Sequence, residues 1–311
     1  MRILYLGSPA VAVAPLTALV QAGYEIVGVV TQPDRPAGRN RVLTPPPVKV
    51  AAQALGLPII QPPTLRDPAI VAHLSALQPE VGVVAAYGEI LRKEILSIPP
   101  RGYLNIHPSL LPLYRGPMPV AGAILAGDTE TGVTIMKLTP GMDSGPILAQ
   151  ATVPLLADAR TGPLTAQLFE LGAQLLLEVL PRYAANQLEL REQDHRQATV
   201  TRLLTKEDGR IDWTLPAVII ERSIRAYDPW PGAFTTFRGQ TLKLLAAQVH
   251  AQRVDNDPPG TCVDVADGPL IMTGSGALEL IAVQPAGKRR MPGRAWLSGY
   301  QQGIIGEQFG A

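Results

Sequence analysis

Short apolar runs alternate with stretches of helical period along the first two thirds of the chain. Ile3 to Leu6 is a continuous apolar run, as expected of a strand covered on both faces. Gly7-Ser8-Pro9 turns the chain into a predicted helix from about Ala10 to Ala22, which Gly23 is placed to end. Ile26 to Thr31 is a second apolar strand, and such strand–helix–strand units favour a parallel sheet with right-handed crossovers. The pattern continues with a helix around Val48 to Leu55, a short strand at Pro58 to Gln61 and a helix from Pro68 to Leu77. A valine-rich strand is expected at Val81 to Ala86, a strand at Tyr103 to His107, a helix near Val120 to Ala126 and a strand at Val133 to Leu138. Thr165 to Tyr183 reads as a long helix that closes the domain. The sum is a Rossmann-like α/β domain over residues 1–188.

Beyond it the period is lost in polar residues, which predicts a linker at 189–205 with His195 as an exposed linker histidine. After Thr205 a helix from Pro216 to Ala226 precedes short apolar runs at Ala233–Phe237, Leu242–Val249, Gly260–Val265, Leu270–Met272 and Leu278–Val283. Short strands separated by Gly/Asp turns predict a smaller C-terminal β-barrel of the OB-like kind over residues 206–311.

Composition narrows the setting. The chain has 311 residues, 46% hydrophobic and 17% charged, which suits a globular protein of two domains. A net charge of +1 leaves any polyanionic partner to local patches. A single cysteine, Cys262, excludes a disulfide framework and a thiolate metal cluster, so a reducing cytoplasm is expected. Gly7 and Pro9 cut the first apolar run well below the roughly 7–15 residues of a signal core. No later segment offers about 18 uninterrupted apolar residues, so no membrane span is expected. The first turn, Gly7-Ser-Pro-Ala-Val-Ala, lacks the second and third glycines of a dinucleotide fingerprint, which disfavours a nicotinamide enzyme.

Candidate chemistry concentrates between Leu104 and Asp143. In a strand ending at His107, alternation places Asn105 and His107 on one face. Pro108 cannot donate to a ladder and would end the strand there, at the carboxyl edge where open α/β sheets keep their sites. An asparagine amide can donate to a tetrahedral oxyanion, and a histidine can relay the proton an attacking nitrogen must lose. Asp143, in the turn Gly141-Met-Asp-Ser-Gly145, could orient the imidazole or position a water. The set suits acyl transfer to an amine. Ser109 competes as a nucleophile but lacks a nucleophile-elbow context. No H-E-x-x-H or C-x-x-C spacing suggests a metal. Arg35, Arg39, Arg41 and Lys49 face the lone acid Asp34 in a proline-rich loop, readable as a solvated surface or as an arm that tracks phosphates. Lys288-Arg289-Arg290 with Arg294 form a second basic cluster open to the same two readings.

The stretch Leu104-Asn-Ile-His-Pro-Ser-Leu-Leu-Pro-Leu-Tyr-Arg-Gly116, with Gly127-Asp-Thr-Glu-Thr-Gly-Val-Thr-Ile-Met136 and Gly141-Met-Asp-Ser-Gly145, resembles the 10-formyltetrahydrofolate-dependent formyltransferases. Thr31-Gln-Pro-Asp-Arg-Pro-Ala-Gly-Arg39, Ile224-Arg-Ala-Tyr-Asp-Pro-Trp-Pro-Gly-Ala233 and Leu280-Ile-Ala-Val-Gln-Pro-Ala-Gly-Lys288 narrow it to the branch acting on charged initiator tRNA. The resemblance implies catalytic roles for Asn105, His107 and Asp143. It also implies a folate loop at Ser109, Leu110, Leu111 and Pro112, and a pterin pocket lined by Tyr87 to Leu91. It assigns the tRNA to Arg35, Arg39 and Arg41, and the C-terminal domain with Lys288, Arg289 and Arg290 completes the expected tRNA surface. One departure is plain: Asn40-Arg-Val follows Arg39 where the family commonly has Gly-Lys-Lys, so Arg41 keeps the positive charge. The expected co-substrate is 10-formyltetrahydrofolate without a metal, and the expected state is a cytoplasmic monomer. A formyltransferase for a small amine and a non-catalytic RNA-binding protein are the competing readings.

Overall fold

The continuous apolar runs become the centre of a seven-stranded sheet. In chain order the elements are β1 (Arg2–Gly7), α1 (Val13–Gln21), β2 (Glu25–Val30), β3 (Arg35–Ala37), β4 (Val42–Thr44), α2 (Pro47–Ala54) and β5 (Ile59–Ile60). There follow α3 (Pro68–Ala76), β6 (Val81–Ala85), α4 (Lys93–Leu96), β7 (Tyr103–His107), α5 (Pro119–Ala126), β8 (Glu130–Lys137), β9 (Ile147–Pro154) and α6 (Thr161–Ala184). The sheet order is β5-β2-β1-β6-β7-β8-β9. Neighbours from β5 to β7 pair in parallel, and β8 and β9 continue antiparallel. This computed structural model describes residues 1–38, 41–251, 257–265, 268–300 and 303–310.

Alternation along each strand divides the core between the two faces of the sheet. Ile3, Tyr5, Leu104, Ile106, Val133 and Ile135 join Leu16 and Leu19 of α1 and Leu176 and Leu180 of α6. Leu4, Leu6, Val84 and Tyr103 join Leu74 of α3 and Ile95 of α4 on the opposite side. Helix α6 reaches the sheet closely at Gly172, where a Cβ would stand 2.5 Å from Ile106 Cγ2 and 2.9 Å from a Val133 methyl. Ile106 is thereby committed to the α6 face. Asn105 and His107, its neighbours in β7, must point the other way.

The chain divides into two compact units, Met1–Pro119 with Glu130–Pro154 and Thr165–Thr201, and Val120–Thr129 with Leu155–Leu164 and Arg202–Ala311. The first unit therefore reaches past the expected boundary at residue 188, to Thr201. Ile147 and Arg191 exchange backbone hydrogen bonds, and Arg115 does the same with Thr199 and Thr201. The polar stretch read as a linker lacks period because it lies along the first unit residue by residue, without forming a strand or α-helix. Two further elements escaped the periodic reading. Strand β9 alternates weakly and ends in a proline, as an edge strand can. The β3–β4 hairpin pairs Arg35 with Thr44 and Ala37 with Val42 inside the proline-rich loop.

The second unit contains α7 (Ala217–Ala226), β10 (Phe234–Phe237), β11 (Gln240–His250), β12 (Cys262–Asp264), β13 (Leu270–Met272), β14 (Ala277–Pro285), β15 (Met291–Pro292) and α8 (Gly293–Leu297). All its ladders are antiparallel, in the order β10-β11-β14-β13-β12, with β15 added to β14. The barrel expectation requires the two edges to meet. They do so through a C-terminal segment: Gly306 N–H donates to Cys262, Cys262 N–H to Glu307, and Phe309 N–H to Gly260, while Gly310 N–H donates to Thr236. Phe309 bridges to Phe237 of β10, and Gln308 to Thr261 beside β12. Inside lie Trp213, Ile220, Ile224, Phe237, Trp296 and Phe309.

Cys262 is fully buried in this core, and burial pushes its thiol up to about 11. At pH 8 the folded protein holds it as an unreactive neutral thiol. A maleimide or disulfide reagent should leave Cys262 unlabelled in the native protein and label it stoichiometrically in denaturant; rapid native labelling would contradict the packing.

Candidate active site

Strand β7 delivers Asn105 and His107 to the end of the sheet, 9% and 4% exposed. The chain then turns at Pro108 into a loop tied down by its own groups. Ser109 Oγ donates to Leu113 O at 2.7 Å, and the Thr134 hydroxyl donates to Ser109 O at 2.6 Å and accepts from Leu111 N–H at 3.1 Å. Gln150 Nε2 reaches Leu111 O at 2.9 Å, and the Leu111–Pro112 bond is cis. The loop returns toward the strand at Tyr114, a left-handed residue with φ 58°, whose carbonyl stands 3.0 Å from His107 Nε2.

That contact assigns the ring. A carbonyl only accepts, so Nε2 must carry a hydrogen. The other nitrogen, Nδ1, lies 3.6 Å from Asp143 Oδ2. The carbonyl takes the Nε2 hydrogen, and Nδ1 is turned toward the carboxylate beyond hydrogen-bond range. At 3.6 Å the Asp143 contact is an ion-pair distance rather than a hydrogen bond, so there is slack for a small movement or an inserted proton carrier.

Asp143 is held from several sides. It sits in the left-handed region at φ 47°, between Gly141 at φ 124° and Gly145. Gly116 N–H donates to the same Oδ2 at 2.8 Å. Gly116 itself has φ 99°, and a Cβ there would stand 2.6 Å from Thr201 O, so glycine is required by both conformation and space. The Asn105 amide makes no hydrogen bond among the described residues. It is a donor on the same strand face as His107 with its hydrogens uncommitted.

The structure brings together Asn105, His107 and Asp143 and distributes the other expected residues differently. Ser109 is fully buried with its hydroxyl spent inside the loop, which argues against the competing nucleophile reading. Leu110 and Pro112 are half-buried, and Leu111 packs with Met136 and Ile147. Tyr87 and Leu91 are 2% and 9% exposed and pack into the core beside Leu4, Leu65 and Ile95. What their segment offers a ligand is backbone around Ala86 and Gly88 and the side chain of Ile90, which is 87% exposed. The Tyr87 hydroxyl is buried without a partner, and burial with the neighbouring Glu89 charge holds its pKa far above the usual phenol value.

The basic residues sort into bound and free. Lys49 is committed to Asp34 at 2.7 Å, and Gln61 and Lys49 together hold that carboxyl below its ordinary range. Arg35 reaches Gln32 Oε1 at 3.0 Å and remains exposed. Arg41 is exposed at φ 49° on the β3–β4 hairpin, beside Val42 and Leu43, which are more than 60% exposed. Arg39 lies outside the described residues. In the second unit Lys288, Arg289 and Arg290 form an exposed run in the β14–β15 turn. Two residues near the site went unnoticed in the sequence, Gln193 and Arg115. Gln193 Oε1 accepts from Arg115 Nε and Nη2, and the same guanidinium meets His195 Nδ1 at 2.9 Å. The supposed linker histidine is exposed as expected but tied to this pair.

Comparison with known proteins gives one consistent family. The formyl transferase profile matches residues 1–180, and the formyl transferase C-terminal domain profile matches residues 203–301. The chain is 69% identical over 300 residues to a methionyl-tRNA formyltransferase of Chloroflexus aggregans, covering 96% of this chain and 97% of that one. Among solved structures, an N-formyltransferase from Helicobacter canadensis in complex with folinic acid and dTDP-3-aminofucose aligns at TM-score 0.68 and 16% identity, over 92% of this chain and 99% of its own. HypX from Aquifex aeolicus in complex with tetrahydrofolic acid aligns at TM-score 0.63 and 18% identity, over 98% of this chain and 48% of its own. At those identities the two structures speak for the fold alone.

The loop geometry separates two roles for Ser109. Replacing it by alanine should lower stability by about 1 kcal/mol, the ordinary worth of one internal hydrogen bond, and leave turnover within about tenfold. A loss of several orders of magnitude at unchanged stability would make it the nucleophile after all.

Proposed function

The chain belongs to the methionyl-tRNA formyltransferases, and on that premise we propose that it transfers a formyl group from 10-formyltetrahydrofolate to the α-amino group of methionyl initiator tRNA. The observation that carries the chemistry is the Asn105–His107–Asp143 cluster at the end of β7. The attacking amine forms a C–N bond to the formyl carbon, whose carbonyl oxygen becomes an oxyanion. Asn105 has uncommitted N–H groups for that oxygen, and a charged His107 adds an electrostatic field fixed by the Tyr114 carbonyl. Collapse breaks the bond to the departing folate nitrogen. The balance requires one proton removed from the amine and one delivered to that nitrogen. Asp143 and His107 are the adjacent titratable pair available for it.

Folate binding is assigned to the loop Ser109–Pro112 and the backbone of residues 86–90. The loop's own carbonyl and amide groups at Ser109 and Leu111 are already bonded to Thr134 and Gln150, so a pterin would meet half-buried side chains and remaining backbone. The tRNA is assigned to the exposed Arg41 hairpin, with Arg35 and Arg39, and to Lys288–Arg290, through phosphate contacts that weaken with salt. Among the described residues no helix is long and apolar enough to cross a membrane. A monomer is the proposed state.

The deciding assay supplies labelled formyl donor with charged or uncharged initiator tRNA. Transfer should require the methionyl group, and transfer to small amino compounds in preference to charged tRNA would overturn the acceptor. Asn105→Ala and His107→Ala should each lower kcat by roughly 10²–10⁴-fold with circular dichroism unchanged. Near-normal rates would remove those residues from the chemistry. Arg41→Glu should raise the KM for tRNA on the order of tenfold, flatten its salt dependence and leave the folate KM unmoved, as loss of a phosphate contact does.

A further inference from the structure

Gln193 stands where four groups of the site's scaffold converge. It is 5% exposed, although it comes from a polar stretch without regular structure. Its Nε2 spends both hydrogens on the catalytic turn, one on Asp143 O at 2.9 Å and one on Gly145 O at 2.7 Å. Its Oε1 accepts from Arg115 Nε at 3.0 Å and Nη2 at 2.7 Å. Donors face acceptors on both sides, so the amide has one orientation that satisfies everything.

Arg115 is flanked by the two residues whose backbones touch the reacting pair. Tyr114 O fixes His107 Nε2, and Gly116 N–H holds Asp143 Oδ2. Together with the 3.6 Å contact between His107 and Asp143, these bonds close a ring that runs from His107 through Asp143, Gln193 and Arg115 back to His107. Asp143 is left-handed at φ 47°, a conformation uncommon outside glycine although aspartate tolerates it better than most residues. The Gln193 amide is positioned to hold it, since it bonds the carbonyl of Asp143 itself and that of Gly145 two residues on.

We propose that Gln193 is a positioning residue for formyl transfer: it clamps the 141–145 turn so that the Asp143 carboxylate faces His107, with Arg115 as its anchor. This rests on the reading of Asn105, His107 and Asp143 as the catalytic set. Gln193 touches no reacting atom.

The test uses the full chain and two variants. Gln193→Glu keeps an oxygen for Arg115, with added charge complementarity, and deletes the two N–H donors; Gln193→Ala deletes both sides. Both should lower kcat about 10–100-fold, the scale of a misplacement near 1 Å, with each KM within about twofold. In an Asp143→Asn background the Gln193→Glu change should cost nothing further, because the group it positions is gone. A fold defect would instead lower activity equally in both backgrounds. If Gln193→Ala does not fold, Gln193→Glu carries the test.

A second readout needs no turnover. The ¹⁵N resonance of His107 Nδ1 should move in Gln193→Glu as it moves in Asp143→Asn. Wild-type kcat in Gln193→Glu, full additivity in the cycle, or an unmoved resonance would each overturn the proposal. Absence of formyl transfer by the wild-type protein, with the resonance still moving, would overturn the catalytic reading and leave the clamp standing.

Discussion

Two acceptor oxygens approach one imidazole, the Tyr114 carbonyl at 3.0 Å and the Asp143 carboxylate at 3.6 Å, and the arrangement of the first unit follows from keeping both there. The carbonyl takes the hydrogen on Nε2 and the carboxylate faces Nδ1, so the pair of oxygens fixes the edge that the ring shows to the site. Both oxygens come from loops rather than from a strand or helix that would hold them. The carbonyl depends on a left-handed Tyr114 at the end of a bonded loop, and the carboxylate on a left-handed Asp143 between glycines. Both need support from β8, β9 and the stretch through Thr201, which explains why so much side-chain hydrogen bonding collects around Thr134, Gln150 and Gln193.

The sheet supplies the rest of the geometry by exclusion. Gly172 lets α6 come close enough to fill its face of β7 with Ile106, and a side chain there would displace the helix. The opposite face is left to Asn105 and His107, two polar groups at a strand end that would cost several kcal/mol if buried without partners in a packed layer. The same strand thus contributes to the core through one residue and to the site through its two neighbours. The change from parallel to antiparallel pairing at β8 places Thr134 opposite His107, where its hydroxyl can serve the loop.

Strand β7 was legible because alternation and Pro108 agree on its end, and Tyr103–His107 is where it lies. The glycines around Asp143 announced a turn. Its distance to His107 could not be read, since separate strands of the sheet set it. Gln193 was invisible for a related reason: its burial comes from Arg115 and from the bridge between Ile147 and Arg191, pairings that no local period records. Tyr87 shows the reverse. The segment was recognisable, but which side chains face outward depended on Ala86 taking a left-handed turn that sends Tyr87 into the core. Arginine clustering was visible as composition, whereas the commitment of Lys49 to Asp34 required the fold.

The seam of the second unit has a consequence for a chain shortened at its end. Residues 306–310 bond to both Gly260–Cys262 and Thr236, so two sheet edges separated by much of the unit are joined by a segment synthesised after all its strands. Without that segment, β12 and the Thr236–Phe237 end of β10 present unpaired backbone, the kind of edge that recruits other strands. A chain cut before residue 306 would leave those two edges of the sheet unjoined. Such a shortened chain should therefore associate edge to edge more readily than the full one, although no strand of either unit has been removed.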